Sequence, residues 1–275
     1  MGESSTYIHG SEPAEQERLS LMNSLMNDPA LRELALKGGE RILDVGCGLA
    51  QLTRAMAKAA GRRVLGVERD PRQRAKAVAL AREAGEDTLV EIREGDVFNL
   101  PLAAGEWGSF DVAHARFVLE HVHEPLAVVR NMVRAVRPGG RIVLQDDDHD
   151  LLRLWPECPG FKDIWAAYVR TYDRLGNDAL IGRRLATLLQ HAGAQPTRNT
   201  WIFFGSCSGN ANLQPLIDNM MGILEGAKEA VLKEGFMDGV TFESCVSAIQ
   251  HWRTRPDIGF WYSICWAEGV RPGKE

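Results

Sequence analysis

No stretch of eighteen uninterrupted apolar residues occurs in this chain, which argues against a membrane-spanning helix. The opening residues, Met1-Gly2-Glu3-Ser4-Ser5, lack the basic and apolar regions of a secretion signal, and Gly2 with Ser5 falls short of a myristoylation signal. Cysteine is scarce, with five residues, an odd number, scattered and without a paired CxxC, so neither a disulfide framework nor a cysteine metal site is expected. A reduced, cytoplasmic setting follows as the expectation. Positive charge is in deficit, with 32 Lys and Arg against 37 Asp and Glu and a net charge of −5. A nucleic-acid surface needs a basic footprint, so no nucleic-acid partner is expected. The local run Arg69-Asp70-Pro71-Arg72-Gln73-Arg74 reads as a solvated helix start. Internal repeats and low-complexity tracts are absent.

With 275 residues and 45% hydrophobic content, the chain can bury a substantial core as one domain carrying insertions. Its most informative stretch is Arg41-Ile42-Leu43-Asp44-Val45-Gly46-Cys47-Gly48, an apolar strand running into an acid and two glycines, ahead of helix-prone Leu49 to Ala60. Glycine at such a turn lets a ligand approach the backbone closely. A dinucleotide fingerprint places a third glycine three residues after the second, and Gln51 stands there instead. A carboxylate two residues before the first glycine is also a poor neighbour for a pyrophosphate. The turn therefore suits a ligand with a positive group and no phosphates, and S-adenosylmethionine, with its ammonium and sulfonium, has that chemistry.

Downstream segments follow in a regular order. Arg63-Val64-Leu65-Gly66-Val67-Glu68 is a second strand, placing Glu68 twenty residues beyond Gly48, where one βα unit brings an acid to a ribose diol. Val90 to Val97 reads as a third strand ending in Gly95-Asp96, Ser109 to His114 as a fourth, and Arg141 to Gln145 as a fifth after the turn Arg137-Pro138-Gly139-Gly140. Helices are expected over 49–60, 71–85, 124–136 and 179–193, and the strand–helix alternation predicts a parallel sheet covered on both faces. Residues 12–36 read as one helix or a pair, with Pro29 as a break.

The pieces LDVGCG at 43–48, Glu68, EGD at 94–96, FDVAHARFVLEHV at 110–122 and RPGGRIVL at 137–144 together resemble the class I S-adenosylmethionine-dependent methyltransferases of small-molecule type. The resemblance implies an α/β fold: a Rossmann-like seven-stranded sheet, mostly parallel, with an antiparallel last strand. Residues 200–204 and 258–266 would be its sixth and seventh strands, the seventh inserted between the fifth and sixth. It further implies that 1–40 caps the cofactor, with Tyr7, Gln16 and Arg18 as polar contacts to the methionine moiety. Asp44 would face the ammonium or else hold the glycine turn, while Gly46, Cys47 and Gly48 allow close approach. Glu68 would accept from the ribose, Arg69 flank the adenine, and Asp96 with Val97 bind the adenine edge. Ala115 and Arg116 would pass beneath the methionine portion, Arg116 by its carbonyl rather than its head group.

Two insertions, 147–178 and 207–256, emerge where a methyl acceptor must sit and are expected to build its pocket or a lid. A homodimer surface on 207–256 stays open as an alternative. Methyl transfer from a sulfonium needs mainly alignment and a dry pocket. A base is required only when the acceptor must lose a proton; His114 and His149 are the catalytic candidates. His121 and His123 read instead as capping or surface groups. No metal is expected at 146–150, since neighbouring aspartates at a strand end point opposite ways. At helical spacing Phe161, Trp165 and Tyr168 read first as core; a pocket lined by some of the aromatics of 155–172 would favour a planar or greasy acceptor, with a cationic amine held by aromatic faces as the second possibility. The function expected is methylation of a small organic acceptor, O-methylation first, with N- or C-methylation or a non-catalytic S-adenosylmethionine-binding partner as alternatives. A nicotinamide oxidoreductase is disfavoured by Gln51 and Asp44.

Overall fold

The computed structural model describes residues 13–174 and 176–273. In chain order the strands are β1 (Ile42–Val45), β2 (Val64–Glu68), β3 (Val90–Glu94), β4 (Phe110–Arg116), β5 (Val136–Asp146), β6 (Arg153–Trp155), β7 (Gln195–Phe203), β8 (Ser206–Cys207), β9 (Gly259–Trp261) and β10 (Ser263–Val270). The helices are α1 (Pro13–Leu34), α2 (Gln51–Ala60), α3 (Pro71–Glu83), α4 (Pro125–Ala135), α5 (Phe161–Arg174), α6 (Leu185–His191), α7 (Leu213–Lys233) and α8 (Gly239–Trp252). Seven strands form one sheet in the order β3-β2-β1-β4-β5-β10-β7, parallel except for β10, which runs antiparallel to both neighbours. Chain order reverses between β1 and β4, and the carboxyl ends of strands at such a switch point leave a crevice for a ligand.

Alternation along the strands feeds two cores. Ile42, Val112 and Val143 face one side, against Met26 and Leu34 of α1, Met56 of α2 and the helices of the insertions. Leu43, Ala113 and Leu144 face the other, against Val128, Val129 and Met132 of α4 and Leu185 and Leu189 of α6. Met132 is fully buried, and truncating such a side chain to alanine typically costs ~2–5 kcal/mol.

Local chemistry sets the helix starts near the crevice. Asp70 caps α3 by accepting from the backbone N–H groups of Arg72 and Gln73, both at 2.8 Å, and Pro71 follows at the first helical position. Pro125 opens α4 in the same way.

Several expectations need correction. α1 runs unbroken through Pro29. The fifth strand starts at Val136, because Phe110 pairs with Val136 before the Pro138-Gly139-Gly140 turn. The segment expected as one strand over 258–266 divides at Tyr262: its first part, β9, joins β6 and β8 in a separate three-stranded sheet, and β10 enters the main sheet. The pattern of apolar residues is continuous across that corner, so periodicity alone gives no sign of it. The 207–256 segment is two helices, α7 and α8, after the short strand β8. No helix among the described residues is long and apolar enough to cross a membrane.

Candidate active site

A cavity of about 400 Å³ lies over the carboxyl ends of β1 to β4, a size usual for a small-ligand site. Its backbone wall is the turn after β1. Gly46 and Gly48 have φ of 71° and 52°, and a Cβ on Gly46 would sit 2.5 Å from Val118 Cγ2, so a larger residue fits neither backbone nor space. Ala50 (φ 55°) and Phe117 (φ 55°) also hold left-handed conformations, the second on the cavity wall.

Asp44 sits beneath this turn, 4% exposed. Its Oδ2 accepts from the Thr53 hydroxyl at 2.6 Å, and its Oδ1 lies 2.8 Å from His114 Nδ1. His114 Nε2 is 2.6 Å from the Gln145 amide nitrogen. Gln145 can only donate through that nitrogen, so Nε2 accepts and Nδ1–H donates to Asp44. With both ring nitrogens within hydrogen-bond distance of protein groups, His114 orients Asp44.

Glu68 bridges two turns: Oε2 accepts from Gly48 N–H at 3.0 Å and Oε1 from Asp70 N–H at 2.8 Å. Burial raises its pKa while these backbone donors oppose the rise. Burial, and then the charges of Asp44 and Glu68, push the Cys47 thiol well up, so Cys47 is a protonated wall residue rather than a nucleophile. Asp96 accepts from Phe98 N–H at 2.9 Å, with the Arg69 guanidinium 3.9 Å from its other oxygen. Asn131 donates to the carbonyls of Val97 and Phe98, fixing that loop.

Thus Asp44, Gly46, Cys47, Gly48, Glu68, Arg69, Asp96, Val97, His114 and Arg116 all line one cavity. Ala115 does not: it alternates with them and turns into the opposite core. Tyr7 lies outside the described residues, as do the side chains of Gln16 and Arg18. Asn23, Phe98, Phe117 and His121 line the cavity too and were not foreseen. His121 had a signal in its place within LEH, directly after the fourth strand, but surface capping explained it equally well.

Behind His121 is a buried polar cluster drawn from four segments. His121 Nε2 lies 3.5 Å from Glu120 Oε1, and His149 Nε2 lies 3.2 Å from Glu120 Oε2, so one carboxylate stands between two imidazoles. His149 also meets the Tyr172 hydroxyl at 3.2 Å and the Tyr262 hydroxyl at 3.4 Å. Burial alone would lower its pKa; Glu120, Asp147 and Asp148 outweigh this and raise it. Burial, then Glu120, holds the Tyr172 phenol well above its usual range. Ligand-capable atoms of Glu120, Asp147 and His149 lie within 4.8 Å of one another, a convergence across elements that the reading of 146–150 as a linear run did not consider.

The rest of that acidic run divides its work. Asp146 accepts from the backbone of Val118 and Leu119, holding the turn that carries Phe117 and His121, and burial with the Glu120 charge raises its pKa. Asp148 takes a two-point bond from Arg183, 2.7 Å at each contact.

A second cavity of about 1370 Å³ opens in the first insertion, with His149, Trp155, Phe161, Trp165 and Trp261 in its walls.

Residues 43–144 match the family described as "Methyltransferase domain". The chain carries a class I S-adenosylmethionine-dependent methyltransferase domain. The chain is 34% identical over 200 residues to an uncharacterized 37.1 kDa protein in a transposon of Streptomyces fradiae, covering 68% of this chain and 55% of that one. A demethylmenaquinone methyltransferase of Desulfitobacterium hafniense is 26% identical over 220 residues, covering 70% and 83%. A ubiquinone biosynthesis O-methyltransferase of Xanthomonas oryzae is 34% identical over 129 residues, covering 47% and 52%. The chain spans about half the length of the first and third of these relatives.

Among solved structures, the [4+2]-cyclase SpnF (21% identity, TM-score 0.54, 91% of this chain and 81% of that one) shares the fold. So does a phosphoethanolamine N-methyltransferase of Haemonchus contortus, crystallised with S-adenosylhomocysteine (16%, TM-score 0.52, 94% and 53%). The methyltransferase cofactor, S-adenosylmethionine, carries an ammonium and a ribose diol, and the cavity's carboxylates (Asp44, Glu68, Asp96) and glycine turn suit that chemistry.

Proposed function

We propose that the protein transfers a methyl group from S-adenosylmethionine to a hydroxyl oxygen of a small organic acceptor. The observation that carries this reading is Glu120, which links His121 on the wall of the cofactor cavity to His149 on the wall of the larger second cavity. The cofactor occupies the first cavity. The acceptor's body lies in the second, against Trp155, Trp165 and Trp261, and its hydroxyl reaches past the cluster to the sulfonium. The name of the Xanthomonas oryzae relative supports oxygen as the attacked atom.

His121 is the base in this scheme. Glu120 holds Nε2–H, so Nδ1 takes the hydroxyl proton as the oxygen–methyl bond forms and the sulfur–methyl bond breaks, leaving S-adenosylhomocysteine. His149 stands behind Glu120 as its second imidazole partner, with neighbouring carboxylates raising its pKa against the effect of burial. Asp44, Glu68 and Asp96 hold the cofactor, and alignment supplies most of the acceleration.

Methyl transfer from labelled S-adenosylmethionine, screened over phenolic and enolic acceptors, tests the reading. His121→Gln is expected to lower kcat by ~10²–10⁴ while leaving S-adenosylhomocysteine affinity unchanged. An unchanged kcat removes His121 from the role. Methyl transfer to nitrogen or carbon acceptors alone overturns the choice of oxygen.

A further inference from the structure

The guanidinium of Arg116 is the least compensated charge among the described residues of the cofactor cavity. Arg116 ends β4 on the same face as His114, two residues earlier, and both line the cavity. Its Nη2 donates to the side-chain oxygens of Asn23 at 2.5 Å and Asn27 at 2.9 Å. These two amides stand four residues apart on α1 and so share one helix face. Its Nη1 is closed off from solvent and has no hydrogen-bond partner among the described residues. No described carboxylate pairs with Arg116, whereas Arg54, Arg93 and Arg183 each hold a carboxylate at 2.6–2.7 Å. Burial pulls the Arg116 pKa down to about 10, and the opposing influence is the charge of Asp44. Two neutral amides fix a guanidinium in space and leave its charge unanswered, a costly arrangement unless an anion completes it.

The position of Asp44 says which anion. Asp44 and Arg116 line the same cavity, and each of the Asp44 oxygens has one bond and a lone pair to spare. One end of the cavity therefore presents an anion and a cation near enough to influence one another. An α-amino acid carries an ammonium and a carboxylate on one carbon, with the matching polarity. We propose that the Arg116 head group, set by Asn23 and Asn27, binds the carboxylate of the cofactor's methionine portion, rather than Arg116 contributing only a backbone carbonyl. A guanidinium offers two parallel donors to a carboxylate, and Nη1 is the donor still open here.

The inference rests on the cofactor reading and is tested separately from it. The probes are S-adenosylmethionine and its decarboxylated analogue, which keeps the ammonium and sulfonium and lacks only the carboxylate. Calorimetric titration of the wild type is expected to give at least tenfold tighter binding of the intact cofactor, about 1.4 kcal/mol. Arg116→Met is expected to weaken the intact cofactor by that factor, leave the analogue unchanged, and so abolish the preference. Arg116→Lys should restore part of it.

Equal weakening of both ligands by Arg116→Met marks a merely structural arginine and overturns the proposal. A variant with full affinity for both overturns it too, and assigns the cation to an anionic acceptor. Should Arg116→Met fail to fold, Asn27→Ala, which removes one tether and keeps the charge, should reduce the preference severalfold. A wild type indifferent to the carboxylate refutes the inference without any variant. A wild type that binds neither ligand refutes the cofactor reading itself.

Discussion

The two cavities are built in opposite ways. The cofactor cavity takes its walls from successive strand ends, and several of its polar groups are held within the same or the adjacent βα unit: Glu68 by the Gly48 and Asp70 amides, Asp96 by the Phe98 amide, Asp44 by Thr53. Around the second cavity and the cluster behind it, partners come from afar. His149 meets Glu120 across 29 residues, Tyr172 across 23 and Tyr262 across 113. The first is a local design that survives changes elsewhere in the chain, whereas the second exists only once α5, the turn after β4 and the corner before β10 have docked. A family can keep the one and vary the other, which is how a common cofactor comes to serve different acceptors.

Substitutions can set the two regions against each other. The largest effect is expected at a long-range bond of the first cavity, between His114 and Asp44. His114→Leu leaves the buried Asp44 Oδ1 without its donor, although Thr53 still holds Oδ2, a loss of ~3 kcal/mol. It should lower thermal stability and weaken S-adenosylhomocysteine binding together; intact cofactor affinity would show that Asp44 needs no orientation.

Acid separates the halves next. Arg93 bonds the Glu106 carboxylate at 2.6 and 2.9 Å, holding its pKa down to about 2 from an ordinary 4.5. A depressed carboxylate stabilises the fold above its unfolded pKa, and that stability drains away as pH falls from 4.5 through about 2. Glu106→Gln should cost ~1.5–3 kcal/mol at neutral pH and flatten the acid limb of a denaturation curve between those values. An unchanged limb would move the acid sensitivity to the second region.

The smallest effect belongs to an aromatic rim. Trp261, 56% exposed, lines the second cavity and meets Phe203 edge-on at 5.6 Å. Trp261→Ala should raise the acceptor KM by ~0.5–1.5 kcal/mol equivalent and leave cofactor affinity alone. A change in cofactor affinity instead would mean that the two cavities are not separate.

Legibility in the sequence follows the same division. The glycine turn, Glu68 and Asp96 were readable because backbone conformation at a strand end depends on residues a few places apart. His114 was readable as a residue of the crevice, but nothing near it in sequence announces Gln145 or Asp44 as its partners. His121 was assigned to capping or the surface for the same reason: its ring partner Tyr172 meets it only when α5 packs against the turn after β4.

By itself the sequence determined the alternation of strands and helices over 41–145 and the residue types at the ends of those strands. Periodicity, glycine geometry and capping act over a turn or two of chain, and they leave their marks in the letters. Tertiary structure alone decided which groups meet each histidine, which arginine has no carboxylate partner among the described residues, and where one apolar run bends into two sheets. Those outcomes depend on which distant groups arrive within about 3 Å of one another, a quantity that no local pattern encodes.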